Sequence, residues 1–105
     1  MKQGKGDVKM FAVIVYDIPT DATGKKRYSK IHKLCKKYGF WVNNSVFEFD
    51  MDYSSFLRLV HHIEKVIDKE QDSVRIYEIG KRKEHTVTLL GRREYIESSD
   101  EVIMF

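Results

Sequence analysis

Residues 10–19 have the sequence MFAVIVYDIP, an apolar run followed directly by an aspartate and a proline. A run of β-branched and aromatic residues that ends at a proline is typical of a buried strand. Asp17 stands at the end of this strand, where the backbone holds its carboxylate in place and solvent still reaches it. A carboxylate in this position is a candidate ligand for a divalent cation, although position alone favours a turn or capping residue.

Two later segments carry the periodicity of amphipathic helices. Apolar residues recur at helical spacing over residues 24–38 and again over residues 54–69. Between the helices, Asn43-Asn44 separates two β-prone runs, and asparagine tolerates positive φ, so a tight hairpin turn is predicted there. An alternating strand follows the second helix over residues 74–79.

The order strand, helix, strand, strand, helix, strand predicts the fold class. The predicted fold class is α+β, with a ferredoxin-like βαββαβ arrangement in which two helices cover one face of an antiparallel sheet. We also expect a short strand over residues 86–90. The apolar residues Val102 to Phe105 predict an extra C-terminal strand that adds to a sheet edge of the same or a partner subunit.

The length of 105 residues leaves room for one hydrophobic core. We interpret residues 1–9 as a disordered leader and residues 10–105 as a single ferredoxin-like domain. A share of 42% hydrophobic and 33% charged residues is typical of a globular protein. No apolar run reaches the roughly 20 residues of a membrane span. Cys35 is the only cysteine, so an internal disulfide is excluded and a cytoplasmic location is expected.

The positive charge is concentrated in one part of the chain. Between Thr23 and Phe47 there are seven lysines and arginines and no aspartate or glutamate, although the net charge is only +3. Such a concentration indicates a polyanionic partner, and a solvated helix face is the alternative. The candidate nucleic-acid-binding residues are Lys25, Lys26, Arg27, Lys30, Lys33 and Lys37.

The histidines and the cysteine give weaker signals. His32, His61, His62 and His85 lack the spacing of a recognisable zinc site, so we interpret them as surface or rim residues. Cys35 falls on the apolar stripe of the first helix, which favours a place in the core over a role as nucleophile.

Five short elements, taken together and in order, match a known family. They are Val15-Tyr16-Asp17-Ile18-Pro19, Lys26-Arg27, Tyr38-Gly39, Ser45-Val46-Phe47-Glu48 and Asp72-Ser73-Val74-Arg75-Ile76-Tyr77. With these elements the chain resembles the smaller universal protein of CRISPR spacer acquisition, the "Cas-two" family of small nucleases. The resemblance runs from Met10 to about Gly80. The chain departs from the family pattern at Trp41, where arginine is frequent, and at Asn43, where glutamine is frequent.

The resemblance implies a homodimer in which Asp17 is catalytic and binds a divalent metal, Mg²⁺ or Mn²⁺, opposite its symmetry mate. It places Tyr16 and Phe47 as neighbours of that site and makes Lys26 and Arg27 the basic start of the first helix. It also implies metal-dependent endonuclease activity on RNA or duplex DNA during CRISPR adaptation. The implied protein partner is the acquisition integrase.

Two other functions fit the same residues. The protein could be a non-catalytic architectural adaptor that holds the integrase and DNA at a fixed spacing, a role that the departure at Trp41 slightly favours. It could also be a toxin-like ribonuclease of related fold, which adjacent CRISPR repeats in the genome would exclude.

Overall fold

The computed structural model describes residues 8–91. The elements are β1 (Lys9–Asp17), α1 (Ala22–Tyr38), β2 (Phe40–Asn43), β3 (Val46–Asp52), α2 (Tyr53–Val66) and β4 (Ser73–Gly80). Their order confirms the predicted βαββαβ pattern. Lys9 belongs to β1, one residue inside the expected leader. Residues 1–7 and residues 92–105, which include the expected C-terminal strand, lie outside the described residues.

The four strands form one antiparallel sheet in the order β2-β3-β1-β4. β1 is therefore central, and Ile14 in its middle pairs with Phe47 of β3 and Ile76 of β4. Both helices contribute side chains to the core on one face of the sheet. This arrangement is the expected ferredoxin-like one.

The side chains of β1 alternate between the two faces of the sheet. Met10, Ala12, Ile14 and Tyr16 are buried in the core beneath the helices. Cys35 of α1 is also in the core, as expected, and burial raises the pKa of its thiol to about 12. A thiol that stays protonated at neutral pH is a poor nucleophile, so its role is packing.

The helix ends follow from local capping. The side chain of Asp21 accepts a hydrogen bond at the start of α1, and that of Asp52 does so at the start of α2. α2 ends at Val66, three residues earlier than predicted, because Ile67 takes extended backbone. α1 ends at Tyr38 because Gly39 takes extended backbone. A glycine fits there, since a Cβ would lie 2.6 Å from the ring of Phe49.

Two turn regions differ in detail from the expectation. The hairpin turn lies one residue later than predicted, because β2 ends at Asn43 and Asn44 has a φ of 43°. The strand expected over residues 86–90 is absent from the described structure. Thr86 instead closes a turn, in which its N–H donates to the Lys83 carbonyl and its hydroxyl accepts from the Lys83 N–H. Neither helix within residues 8–91 is long and apolar enough to cross a membrane.

Candidate metal centre and nucleic-acid surface

Asp17 is the last residue of the central strand, and its side chain is exposed. It pairs with Ser73 of β4, so its backbone is held within the sheet. The loop that follows is fixed as well. Ile18 is buried, and Gly24 packs so tightly against this loop that a Cβ would lie 1.9 Å from the Pro19 carbonyl oxygen. The backbone that carries the Asp17 carboxylate is therefore held in place, and the carboxylate is accessible to solvent.

One protomer does not complete a metal site around Asp17. Within residues 8–91 no three histidine, cysteine, aspartate or glutamate side chains come together to hold a metal ion. A carboxylate oxygen is nevertheless the type of ligand that Mg²⁺ and Mn²⁺ prefer, and such ions retain waters and bind phosphate oxygens. The donor chemistry of Asp17 fits the expected metal, and the remaining ligands have to come from outside the protomer.

The face of the sheet that carries Asp17 is open, and it presents apolar side chains together with the exposed Arg75. Val13 and Val15 of β1 lie on this face and are half-buried. Tyr77, which pairs with Val13, is 47% exposed, and Val42 of β2 is 40% exposed. An open sheet face on which exposed apolar and aromatic side chains lie beside an arginine is typical of a protein–protein interface.

The opposite end of this face is covered by the segment that follows β4. The guanidinium of Arg82 lies 5.3 Å from the ring centroid of Phe11, which is only 2% exposed. Burial raises the pKa of Glu48, and Arg82 opposes the shift. Because Phe11 and Asp17 are six residues apart along β1, roughly 20 Å separates this covered end from the carboxylate.

Tyr16 and Phe47 lie on the other side of the sheet from Asp17. Their rings stack at 6.2 Å between centroids beneath α1, and both are buried. The Tyr16 hydroxyl lies 2.5 Å from Nδ1 of His32. Burial holds the pKa of the Tyr16 phenol well above its usual range. Within a protomer these two residues therefore support β1 from below and do not surround the carboxylate.

His32 is more buried than the surface position that the sequence suggested. Its ring centroid lies 4.8 Å from that of Trp41 and 5.2 Å from that of Phe47. Burial, and secondarily the charge of Lys36, lowers the pKa of His32, so the ring is neutral and its Nδ1 accepts a hydrogen bond from the Tyr16 hydroxyl. The sequence feature that could have indicated this burial is the position of His32 one helical turn after Tyr28, on the apolar side of α1.

We predict that the free energy of unfolding decreases as the pH falls from 6.5, the ordinary pKa of histidine, towards about 5. The folded-state pKa of His32 is lowered, so the unfolded chain binds more protons in this range. Because one histidine accounts for a difference of at most one proton, its contribution to the slope stays below ~1.4 kcal/mol per pH unit. Urea unfolding at several pH values measures the slope. The variant His32→Phe should flatten it and His61→Phe, at an exposed position, should not. An unchanged slope in His32→Phe would contradict the assignment.

The side chain of Trp41 is packed on the helix side of the sheet. Its Nε1 donates to the Asn44 carbonyl at 2.9 Å, and its ring stacks with that of Phe47. Lys36 Nζ lies 4.8 Å from the ring centroid of Trp41. The departure from the family pattern at this position therefore lies on the helix side of the sheet, away from Asp17 within a protomer.

The predicted basic surface is present on α1, with one exception. Its exposed members are Lys25, Lys26, Lys30, Lys33 and Lys37. Arg27 instead forms a bidentate ion pair with Asp72, with Nε 2.7 Å from Oδ2 and Nη2 2.9 Å from Oδ1. The guanidinium holds the pKa of the Asp72 carboxyl below its usual range. Arg27 therefore ties α1 to the segment before β4, and its donors are already engaged.

Lys65 and His62 of α2 were not among the predicted binding residues. Both line a groove of about 480 Å³ between α1 and α2, together with three lysines of α1. The charge pattern of the sequence did not single them out, because Glu64 precedes Lys65 directly in α2. Only the packing of the helices shows which of its charged side chains face α1.

Comparison with known proteins gives consistent matches. The family model for "CRISPR associated protein Cas2" matches residues 10–87. The chain is 37% identical over 95 residues to the "CRISPR-associated endonuclease Cas2" of Halalkalibacterium halodurans. The aligned segment covers 90% of this chain and 99% of that protein. It is 40% identical over 81 residues to the "CRISPR-associated endoribonuclease Cas2 3" of Thermodesulfovibrio yellowstonii, and this alignment covers 77% of the chain and 86% of that protein.

A solved structure is also similar. The crystal structure of Streptococcus pyogenes Cas2 at pH 6.5 matches with a TM-score of 0.68 and 37% sequence identity. The match covers 78% of this chain and 100% of that chain. The sequence and the backbone are thus both similar to proteins named Cas2.

Proposed function

Since the chain belongs to the Cas2 family of CRISPR associated proteins, we propose that it acts in CRISPR adaptation as a metal-dependent endonuclease. Curated relatives named endonuclease and endoribonuclease support nuclease activity. The observation that carries the proposal is the exposed Asp17 carboxylate, which lies at the end of the central strand on the open face of the sheet.

The active form in this proposal is a homodimer formed through the open sheet face. A two-fold interface uses the same patch on both subunits, so a patch that carries Asp17 brings the two copies of this residue to a common axis. Burial of Val15, Val42 and Tyr77 against their counterparts would supply the apolar area that a small domain lacks. The dimer thereby provides the second carboxylate that one protomer does not have.

The two Asp17 carboxylates, together with a substrate phosphate, would hold Mg²⁺ or Mn²⁺ through oxygen ligands. Such an ion, when bound, polarises a phosphodiester and lowers the pKa of a water molecule. The protein contributes rigid placement, because the backbone of Asp17 is fixed by the sheet and by the packed loop that follows it. A rigid carboxylate keeps the scissile group in a constant position.

The nucleic acid in this proposal is a duplex bound along α1. Five of the six lysines of α1 are exposed, where they can contact phosphates. Lys25 and Lys26 stand in the first turns of the helix, directly after the short loop that follows Asp17. A backbone held there would lie close to the end of β1, where the carboxylate is.

A second candidate function is the architectural adaptor. It is supported by the exposed lysines of α1, which can hold DNA without any metal site. In this role the dimer would join the acquisition integrase and DNA without catalysing hydrolysis. Both functions use the same dimer and the same lysines, and they differ only in the need for the Asp17 carboxylate.

We predict that the purified full chain cleaves labelled duplex DNA or RNA in the presence of Mg²⁺ and that a chelator abolishes the cleavage. The physical reason is that hydrolysis at neutral pH needs the water activation and charge neutralisation that the ion supplies. Gel analysis of product length measures the activity, and adding Mg²⁺ or Mn²⁺ in excess of the chelator should restore it. Cleavage that continues unchanged in the chelator would contradict a metal-dependent mechanism.

A further inference from the structure

The groove between α1 and α2 has a cationic rim and an apolar floor. Its lining consists of Lys30, Lys33, Leu34, Lys37, His62, Lys65 and Val66. The four lysines and the histidine belong to both helices. The half-buried Leu34 and Val66 pack against the core and form the floor between them. Apolar surface of this kind supports the aliphatic stems of lysines, which then present their ammonium groups at the rim.

The charge of this groove is not neutralised by the protein itself. No aspartate or glutamate lines it. The ion pairs found within residues 8–91 are Arg27–Asp72 and Lys69–Glu64, and neither involves a groove residue. All four lysines and His62 are exposed. A concave surface with cations on both walls favours an anionic occupant.

The spacing of the lysines fits a sugar-phosphate backbone. Lys30, Lys33 and Lys37 are three and four residues apart, so they share one side of α1. From Lys30 to Lys37 the helix rises by roughly 10 Å. A strand of a duplex carries one phosphate about every 3.4 Å along the helix axis, so this row spans about three phosphates. Lys65 stands on the facing helix.

We infer that α2 forms the second wall of the nucleic-acid site, with Lys65 and His62 contacting the same sugar-phosphate backbone as the lysines of α1. This inference rests on the proposed function and adds residues that the sequence did not suggest. The occupant is one strand of a duplex, seated in the groove by its phosphates. α1 and α2 then act together, and the site is wider than the lysine row of α1 alone.

The residues that line the groove also indicate that it does not recognise bases. It contains no phenylalanine, tyrosine or tryptophan on which unstacked bases could lie. It also contains no arginine, asparagine or glutamine, the side chains that most often make bidentate contacts with base edges. Contacts made by lysines to phosphates fix position without reading sequence. The groove therefore binds duplexes of any sequence and favours them over single strands.

The test compares salt dependence of binding in matched variants of the full chain. Affinity for a labelled mixed-sequence duplex is measured over a series of NaCl concentrations for wild type, Lys33→Gln, Lys65→Gln and Lys69→Gln. Each lost phosphate contact lowers the slope of log affinity against log salt by about 0.9. We expect Lys65→Gln to match Lys33→Gln in this loss. Lys69→Gln, which loses a cation paired with Glu64 outside the groove, should keep the wild-type slope.

The failures of the two proposals differ in this experiment. A wild-type protein that does not bind the duplex overturns the proposed function and this inference together. A reduced slope in Lys33→Gln with a wild-type slope in Lys65→Gln overturns the inference alone. Saturable binding of poly-L-glutamate that Lys65→Gln abolishes, with an unchanged duplex slope, also overturns it and assigns the groove to an acidic protein segment.

Discussion

Replacing Asp17 with asparagine is expected to lower Mg²⁺-dependent cleavage by at least about a hundredfold, since loss of metal-based charge stabilisation costs several kcal/mol in the transition state. The amide keeps the shape of the side chain but loses the negative charge that holds the cation. Duplex affinity should not decrease, because the exposed lysines that carry it lie on α1. Initial cleavage rates and duplex affinity, measured on the same preparation, separate the two effects.

Asp50→Asn is the matched control for this variant. Asp50 is an exposed carboxylate on β3, paired with Phe11 of β1, at the far end of the sheet from Asp17. Its loss changes the net charge equally and should leave the cleavage rate unchanged. If Asp17→Asn cleaves as fast as wild type, the activity belongs to another site or to a contaminant.

The same variant separates the endonuclease from the architectural adaptor. Integration of a DNA fragment by the integrase and this protein together is the measurement. If Asp17→Asn supports integration as well as wild type does, the dimer acts in this reaction as an adaptor. Loss of integration in Asp17→Asn, with duplex binding retained, assigns the carboxylate to the adaptation reaction itself.

Tyr77→Lys is expected to convert the dimer to a monomer and to abolish metal-dependent cleavage with it. Tyr77 lies on the open sheet face and is 47% exposed in the protomer, so the substitution leaves the core intact. In a two-fold interface each substitution occurs twice. Two ammonium groups buried without partners would cost about 4 kcal/mol or more, which raises the dimer dissociation constant by roughly a thousandfold. Sedimentation at micromolar concentration measures the mass.

Leu57→Lys is the control for Tyr77→Lys. Leu57 is 45% exposed, nearly as much as Tyr77, but it lies on α2 in the helix layer. The same charge placed there should leave the dimer and its activity unchanged. A wild type that is already monomeric at micromolar concentration would contradict the shared metal site, since one Asp17 offers too few ligands. Dimers retained by Tyr77→Lys would place the interface elsewhere.

The sequence allowed the elements and their order to be predicted because each depends on local patterns. The apolar run from Met10 to Tyr16 formed the central strand, and the apolar stripes of both helices face the core. Where local rules compete with packing, the prediction was less accurate. Thr86 closes a turn within residues 83–86, so the strand expected after β4 does not form within the described residues.

The candidate site could be predicted only in part, for the same reason. The exposed carboxylate of Asp17 and the exposed lysines of α1 follow from a strand end and a helix face. The partners of charged side chains do not, because they come from distant parts of the chain. Arg27 had the same apparent role as Lys26 until the structure placed Asp72, 45 residues away, against its guanidinium.

By itself, the sequence determined that this protein has a βαββαβ fold with a carboxylate at the end of its central strand and a basic first helix. It did so because strand and helix periodicity, capping and charge are properties of neighbouring residues. Only the tertiary structure decided which face of the sheet Asp17 shares with Val15 and Tyr77, and that Lys65 faces the lysines of α1. Those relations depend on the register of the strands and the packing of the helices, which bring together residues far apart in the chain.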